Sequence, residues 1–340
     1  MLIVLLSSII ISIAIGSTKV PIKDIFLGLG NRLSFIFTNI EEVDPISDII
    51  IFQVRLPRIV LAMLIGAALS VCGLVFQGLF RNPLADPGII GVSSGASLGA
   101  TIGILLQSSV IGAVSRSIPI YAFLGAIGAV SLVYALANDS GKVRTDTFLL
   151  SGVVVGSFIS AIVSFLIMVA GQDMPKVIMW MMGNLSSKGW DSVLAVLPYI
   201  LIGLGCIMFL ARGLNLISVG EEPAKHMGLN VEIFKKVAIV LASLVAAASV
   251  SVAGIIGFVG FVVPHSCRML VGPEHRKLIP ITILAGAAFL VICDTIARVL
   301  LAPVEIPVGV ITAITGTPFF LILLRKNKAS KVVQGGSHGN

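Results

Sequence analysis

The chain has 340 residues, of which 57% are hydrophobic and 11% charged, with a formal net charge of +7. Soluble chains carry about a quarter charged residues, so the composition excludes an ordinary soluble domain and points to a polytopic membrane protein. The basic residues are spread over loops, without the stripe or aromatic interleaving of a nucleic-acid interface, which fits cytoplasmic loops and no nucleic-acid partner.

One apolar crossing takes about 20 residues, and the apolar runs allow about ten crossings in a single transmembrane unit over 1–340. The first runs over 2–15. It has no Lys or Arg ahead of it and no convincing cleavage site, so it reads as a retained helix rather than a secretory signal. The polar stretch 17–48, with Pro21, Asn31 and Pro45, reads as an external loop. Helices are predicted over 50–80, 88–106, 118–137 and 147–170. The amphipathic stretch 171–191 places Trp180 and Trp190 as interfacial anchors. Helix 193–211 leads into the longest basic loop, 212–236, and helices 237–253, 255–270, 279–301 and 307–324 follow.

Basic residues near helix ends place both termini in the cytoplasm. Arg55, Arg58 and Arg298 then lie at external membrane edges, where the rule does not put them. Small residues (Gly66, Ala67, Ala68, Ser70, Cys72, Gly73) suit close helix–helix contact. Ser70-Val71-Cys72-Gly73 ahead of Pro83 is echoed by Ser251-Val252-Ala253-Gly254 ahead of Pro264, as in an inverted repeat. Cys72, Cys206, Cys267 and Cys293 lie in or beside apolar runs and read as small core residues.

Several residues carry competing readings. Arg55, Arg58 and Arg298 could snorkel, or Arg298 could pair with Asp294 one helical turn away. Alternatively their planar forks offer a cationic surface for a partner's carboxylates. Ser218 and Glu221 have capping-box spacing, Gly228 is a suitable stop, and Ala224 and Met227 give the short helix between them an apolar face. A solvated loop is the plain alternative there, as ordinary turn chemistry is for the Asn-Pro break at Asn82. His265 stands beside a proline without a second ligand at helical spacing, so it reads as a packed residue and not a metal ligand. No nucleophile–base set and no G-x-x-x-x-G-K-[ST] loop occurs, which removes an enzyme reading. A stand-alone secondary transporter is the other class to weigh, but Asp294 is its sole candidate intramembrane acid.

Four segments occur in a telling order: RLPR at 55–58, FRNPLADPGIIGVSSG at 80–95, SVGEEPAKHMGL at 218–229 and GIIGFVGFVVPHSCR at 254–268. In these, and nearly end to end, the chain resembles the FecCD family, the permeases of ABC importers for iron–siderophore complexes, heme and vitamin B12. The resemblance implies an all-α membrane protein with a type II ABC importer permease fold. It implies binding-protein docking at Arg55, Arg58 and Arg298. It also implies ATPase coupling through Ser218, Gly220, Glu221, Glu222, Ala224, Met227 and Gly228. A cytoplasmic gate is implied at Asn82, Leu84, Thr145 and Asp146, the last standing where a small hydroxyl residue can occur. The implied partners are a second copy of the chain, two ATPase subunits, an extracytoplasmic substrate-binding protein and a metal-chelate substrate. No cofactor or metal is expected on this chain, ATP and Mg staying with the ATPases. The implied setting is the cytoplasmic (inner) membrane. Iron(III)-siderophore is the first expected cargo, with heme and cobalamin as alternatives.

Overall fold

The structure, a computed structural model, describes residues 1–16, 18, 20, 21, 23–25, 27, 30, 44–109, 118–139, 141–319 and 321. Most of the expected external loop 17–48, and the basic tail beyond 321, fall outside these residues. Helix α1 (Leu2–Ala14) precedes the long α2 (Pro45–Phe80), then α3 (Val92–Ser109) and α4 (Ile118–Ala137). An antiparallel hairpin of β1 (Asn138–Asp139) and β2 (Lys142–Val143) sets Asn138 opposite Val143. It leads into α5 (Thr145–Val169), α6 (Met174–Met181) and α7 (Trp190–Phe209). The short α8 (Ala211–Val219) and α9 (Glu221–His226) follow. The chain then runs through α10 (Val231–Ala253), α11 (Val259–Val271), α12 (His275–Val299) and α13 (Val308–Phe319).

Among the described residues, six helices are long and apolar enough to cross a membrane: α2, α4, α5, α7, α10 and α12. Shorter apolar helices are α1, residues 92–107 of α3, α11 and α13.

Local chemistry moves several expected boundaries. Asp44 caps α2 by accepting from the Ser47 N–H at 3.1 Å, so this helix starts at Pro45 rather than at 50. The carboxylate of Asp86 accepts from the Gly88 N–H at 2.7 Å and Gly91 takes a φ of 95°, so residues 88–91 are turns and α3 starts at Val92 rather than at 88. The largest correction is at 212–236, read as a loop around a short helix between Ser218 and Gly228. That helix is present as α9, but its flanks are helical too. The run is α8, α9 and the first turns of α10, which Asn230 caps by accepting from the Ile233 N–H. The 73/254 echo also ends at sequence. Gly73 lies mid-helix in α2, whereas Gly254 ends α10 at a φ of 73°.

Helix α2 is the axis of the bundle. Of its most apolar window 83% is buried, against 22% for α5, and it packs on α12, α10 and α11. These crossings need glycine. A Cβ on Gly66 would lie 2.2 Å from the Gly286 carbonyl oxygen, and one on Gly73 would lie 1.9 Å from that of Gly260. Helices α3 and α4 cross in the same way, Gly95 against Gly125. Backbone contact of this kind replaces the hydrophobic drive that lipid cannot supply.

Near its start, α2 holds Pro57, which has no N–H to donate and whose ring crowds the preceding turn. Residues Ile50–Arg55 widen into a π-helical turn, with the Leu56 N–H donating to the Ile51 carbonyl. The next carbonyl in that series, Phe52, would need the N–H that Pro57 lacks. It accepts instead from Trp190 Nε1 at 2.9 Å. Trp190, expected as an interfacial anchor, thus fastens α7 to α2.

Gly73→Ala should cost about 1–3 kcal/mol through overpacking, read as a lower thermal midpoint of the purified chain in detergent. Gly128→Ala, where the added carbon meets nothing within 4 Å, should leave the midpoint unchanged. Equal midpoints for both variants would mean that α2 and α11 do not pack backbone to backbone.

Candidate functional site

At one end of the bundle the three candidate arginines come together, but not as a free cationic surface. Arg55, Arg58 and Arg298 are 3%, 6% and 3% exposed, and each has protein partners. Arg58 Nε donates to Asp294 Oδ1 and Oδ2 at 2.9 and 3.1 Å, and its Nη2 lies 2.8 Å from Oδ1. Arg58 Nη1 reaches Glu305 Oε2 at 2.7 Å, and Glu305 also accepts from the Ser186 hydroxyl. Arg298 Nε lies 3.2 Å from Asp294 Oδ2, the pair expected from helical spacing, without hydrogen-bond geometry. Its Nη2 donates to Ser12 Oγ at 2.6 Å and to the Ser12 carbonyl at 3.2 Å.

Arg55 sits where α1 ends and leaves carbonyls without intrahelical partners. Its Nη1 donates to the Ile13 carbonyl and, at 3.3 Å, to that of Ala14; its Nη2 donates to the Thr18 carbonyl. A cation suits that end of a helix. Gly16 leaves the room: a Cβ there would meet Arg55 Nη2 at 2.7 Å. The expected exposure of the trio is therefore corrected. Buried guanidiniums must be paired, and Glu305, itself held by the Ser186 hydroxyl, and Ser12 supply partners that nothing local in the sequence indicates.

The opposite end of α2 carries the candidate gate. Arg81 turns the chain at a φ of 49°, and Asn82 Oδ1 accepts from the Leu84 N–H at 2.9 Å in an Asx turn. Thr145 and Asp146 open α5, with Asp146 exposed. The contact joining these two segments is aromatic and was not foreseen. Phe148, fully buried, stacks on Phe80 with centroids 5.1 Å apart, and Phe80 stacks on Phe76 at 6.0 Å. Asp86 belongs to the same break. Burial pushes its carboxyl up to about 6, opposed by the N–H of Gly88.

Between the break and α5 runs a groove of about 600 Å³ lined by Ser93, Ser94 and Ser97 of α3, Ser157 and Ser160 of α5, and apolar Ile89, Val153, Met181 and Ile255. Ser94 and Ser97 spend their hydroxyl hydrogens on the carbonyls of Gly91 and Ser93, leaving oxygen lone pairs toward the groove. Among the described residues, no ionisable side chain lines it.

The candidate coupling segment is a two-helix corner. Gly220, at a φ of 146°, ends α8 and starts α9, and Gly228 follows at 85°. The capping box is corrected. Ser218 is still inside α8 and donates to the Asn215 carbonyl, while Glu221 turns to Lys235 Nζ at 2.6 Å. Glu222 and Lys225 pair at 2.7 Å on the exposed side, where the Lys225 ammonium holds the Glu222 carboxyl below its usual range. Ala224 is fully buried and Met227 is 51% exposed. Asn215 Oδ1 also accepts from the backbone N–H of His275 and lies 2.7 Å from its Nδ1, fixing α8 against the start of α12. His265 packs edge-on to Phe319 at 6.3 Å. Cys72, Cys267 and Cys293 are buried, Cys72 Sγ donating to the Ala242 carbonyl.

Comparison with known proteins places this architecture. Residues 3–326 match the model of the FecCD transport family. The chain is 46% identical over 283 residues, 83% of its length and 75% of the relative's, to the cobalamin import system permease protein BtuC of Halobacterium salinarum. It is 38% identical over 285 residues, 82% of its length and 84% of the relative's, to the hemin transport system permease protein HmuU of Yersinia pestis. Its identity to the molybdate import system permease protein MolB of Haemophilus influenzae is 34% over 321 residues, 94% and 92% of the two chains. A solved metal-chelate type ABC transporter in an inward-facing conformation superposes with a TM-score of 0.82 at 32% identity, covering 95% of this chain and 97% of that one. The chain therefore belongs to the FecCD transport family and is a permease subunit, not itself an enzyme, of a metal-chelate type ABC importer whose ATPase is a separate subunit.

Proposed function

We propose that the chain carries a bulky, electrically weak metal chelate across the cytoplasmic membrane, with its gate, hairpin and both termini on the cytoplasmic side. The observation that carries this reading is the serine-lined groove of about 600 Å³. Hydroxyl oxygens can meet the polar rim of a chelate, and the absence of ionic pairs along the wall lets the cargo leave. The oxyanion named for MolB would want cationic donors, and the groove's described lining residues include none. An amide-rimmed corrinoid or a ferric siderophore suits it better. The 46% identity to a cobalamin permease puts a corrinoid ahead of the iron(III)-siderophore expected from sequence. The groove is open along one flank. A second copy would close it across the α3 and α5 faces, where Val153 and Phe158 stand exposed, so we read the permease as a homodimer.

Two ATPase subunits are assigned to the α9 corner and a substrate-binding protein to the arginine end. Docking there takes the form of an exchange. Asp294 is 1% exposed and lies behind Arg58, whereas the side chain of Glu305 is 28% exposed. A carboxylate of the binding protein would take Glu305's place on Arg58, with Arg55 and Arg298 holding the frame behind it.

Uptake into vesicles should be measured with the chain, its ATPase and its binding protein, offering labelled cyanocobalamin, ferric siderophore and hemin in parallel. ATP-dependent uptake of one cargo, with all three components required, is the expected result. Uptake by the chain alone without ATP would overturn the importer assignment in favour of a secondary transporter. In a separate titration of the reconstituted permease, Glu305→Gln should tighten capture of the loaded binding protein about tenfold, since the intramolecular competitor is gone. Unchanged or weaker capture would remove the exchange. Asp294→Asn should lower the thermal midpoint of the chain, costing about 3–5 kcal/mol, because it leaves buried Arg298 without a carboxylate and Arg58 with Glu305 alone.

A further inference from the structure

We propose that Lys235 is a positioning residue that links α9 to the gate, so that a displacement of α9 is delivered to β2 and the start of α5. The proposal rests on the reading of α9 as the helix the ATPases press upon.

Lys235 lies in the second turn of α10 and is 2% exposed, while its neighbour Lys236 faces out. Its ammonium meets Glu221 Oε1, at the first position of α9, at 2.6 Å. The same nitrogen donates to the carbonyl of Val143 in β2 at 3.1 Å. Three residues earlier on α10, Glu232 Oε2 accepts from the Val143 N–H at 3.3 Å. Both polar groups of one hairpin residue are thus held by α10 side chains, and one of those side chains is also bound to α9.

From Val143 the connection is short and stiff. Arg144 flanks α5, its carbonyl accepts from the Phe148 N–H, and Phe148 stacks on Phe80 two residues before Asn82. The path from α9 therefore reaches both halves of the gate. An apolar contact in place of Lys235 would let α9 slide over α10. A buried ammonium deprived of its carboxylate is costly, so the hairpin and α9 are constrained to move together. The lysine also explains why β1 and β2, a strand pair of two residues each, hold their place against the bundle.

The test is hydrogen exchange on the assembled complex in nanodiscs, with and without ATP. In the wild type, amides of 221–226 and of 141–148 should change together on ATP binding, by about tenfold. Lys235→Met, which keeps the volume, should preserve the response at 221–226 and reduce that at 141–148 to less than about twofold, and Lys235→Arg should restore it. A simple loss of local packing would change protection at 141–148 in the ATP-free state and would not single out the ATP response. A response at 221–226 without one at 141–148 in the wild type would overturn the link. It also decides the matter if Lys235→Met does not assemble. No response at 221–226 would instead remove the reading of α9 as the ATPase contact.

Discussion

The Asp294 carboxylate between Arg58 and Arg298 is the interaction on which one end of the molecule depends. A charge buried among helices is tolerated when it is paired and its remaining donors are used. Here one carboxylate serves two guanidiniums, and Glu305 takes the remaining arm of Arg58. The third cation, Arg55, is balanced by dipoles, the free carbonyls at the end of α1. Helix α1 turns Leu2, Ile3, Leu6 and Ile10 outward, half exposed or more, and buries Leu5 and Ile13 against the core. Arg55 and Arg298 add a grip on its end at Ser12, Ile13 and Ala14. The arginines that resemble a docking surface are therefore first a clamp, and any docking role has to work through the exposed edge of that clamp.

The second constraint is on the backbone. Within lipid or packed protein an unserved carbonyl is expensive, and Pro57, inside α2, has no N–H to offer the Phe52 carbonyl five residues before it. The π-turn and the Trp190 indole resolve it together. This ties α7 to α2 at the same level at which α1 and α12 are tied to it. From there α2 runs, through contacts that admit nothing larger than glycine, to the break at Arg81. A single buried helix thus joins the arginine end to the break at Asn82.

Much of this was legible in sequence because it is local or repetitive. Apolar runs gave the helices, the Asn-Pro and Asp-Pro turns gave the break, and the four-residue spacing gave the Asp294–Arg298 pair. What failed was long-range or depended on φ. Arg58 meets Asp294 across 236 positions, so burial turned a plausible surface cation into an internal one. Ser218 and Glu221 have the spacing of a capping box, but the serine ends one helix and the glutamate starts another, because Gly220 between them adopts a conformation open to glycine. The charge-rich run 212–236 looked like a loop because its charges were counted as solvated. Lys235 is not: it is 2% exposed and paired with Glu221. Phe80 and Phe148 carried no signal at all, since aromatics in apolar runs look alike whether they pack on each other or on lipid.

The two ends of the bundle are secured by different means, and this asymmetry bears on which end moves. At the arginine end, charged contacts are shared among several partners: losing one of them leaves Arg58 or Arg298 still bound to another group. A structure with redundant contacts resists stepwise rearrangement. At the opposite end the described joints are few: Lys235 and Glu232 hold Val143 of β2, one aromatic stack joins α5 to α2, and Asx turns close at Asn82 and at Asp86. Few joints between rigid pieces permit rotation without unfolding. Turns closed by side-chain oxygens can also exchange those bonds for water at little cost. A force arriving at α9 would thus meet stiff helices and yielding corners, and the yielding corners are those beside the serine-lined groove. In the proposed docking, the arginine end would by contrast keep its shape while a partner's carboxylate replaces Glu305 at its rim.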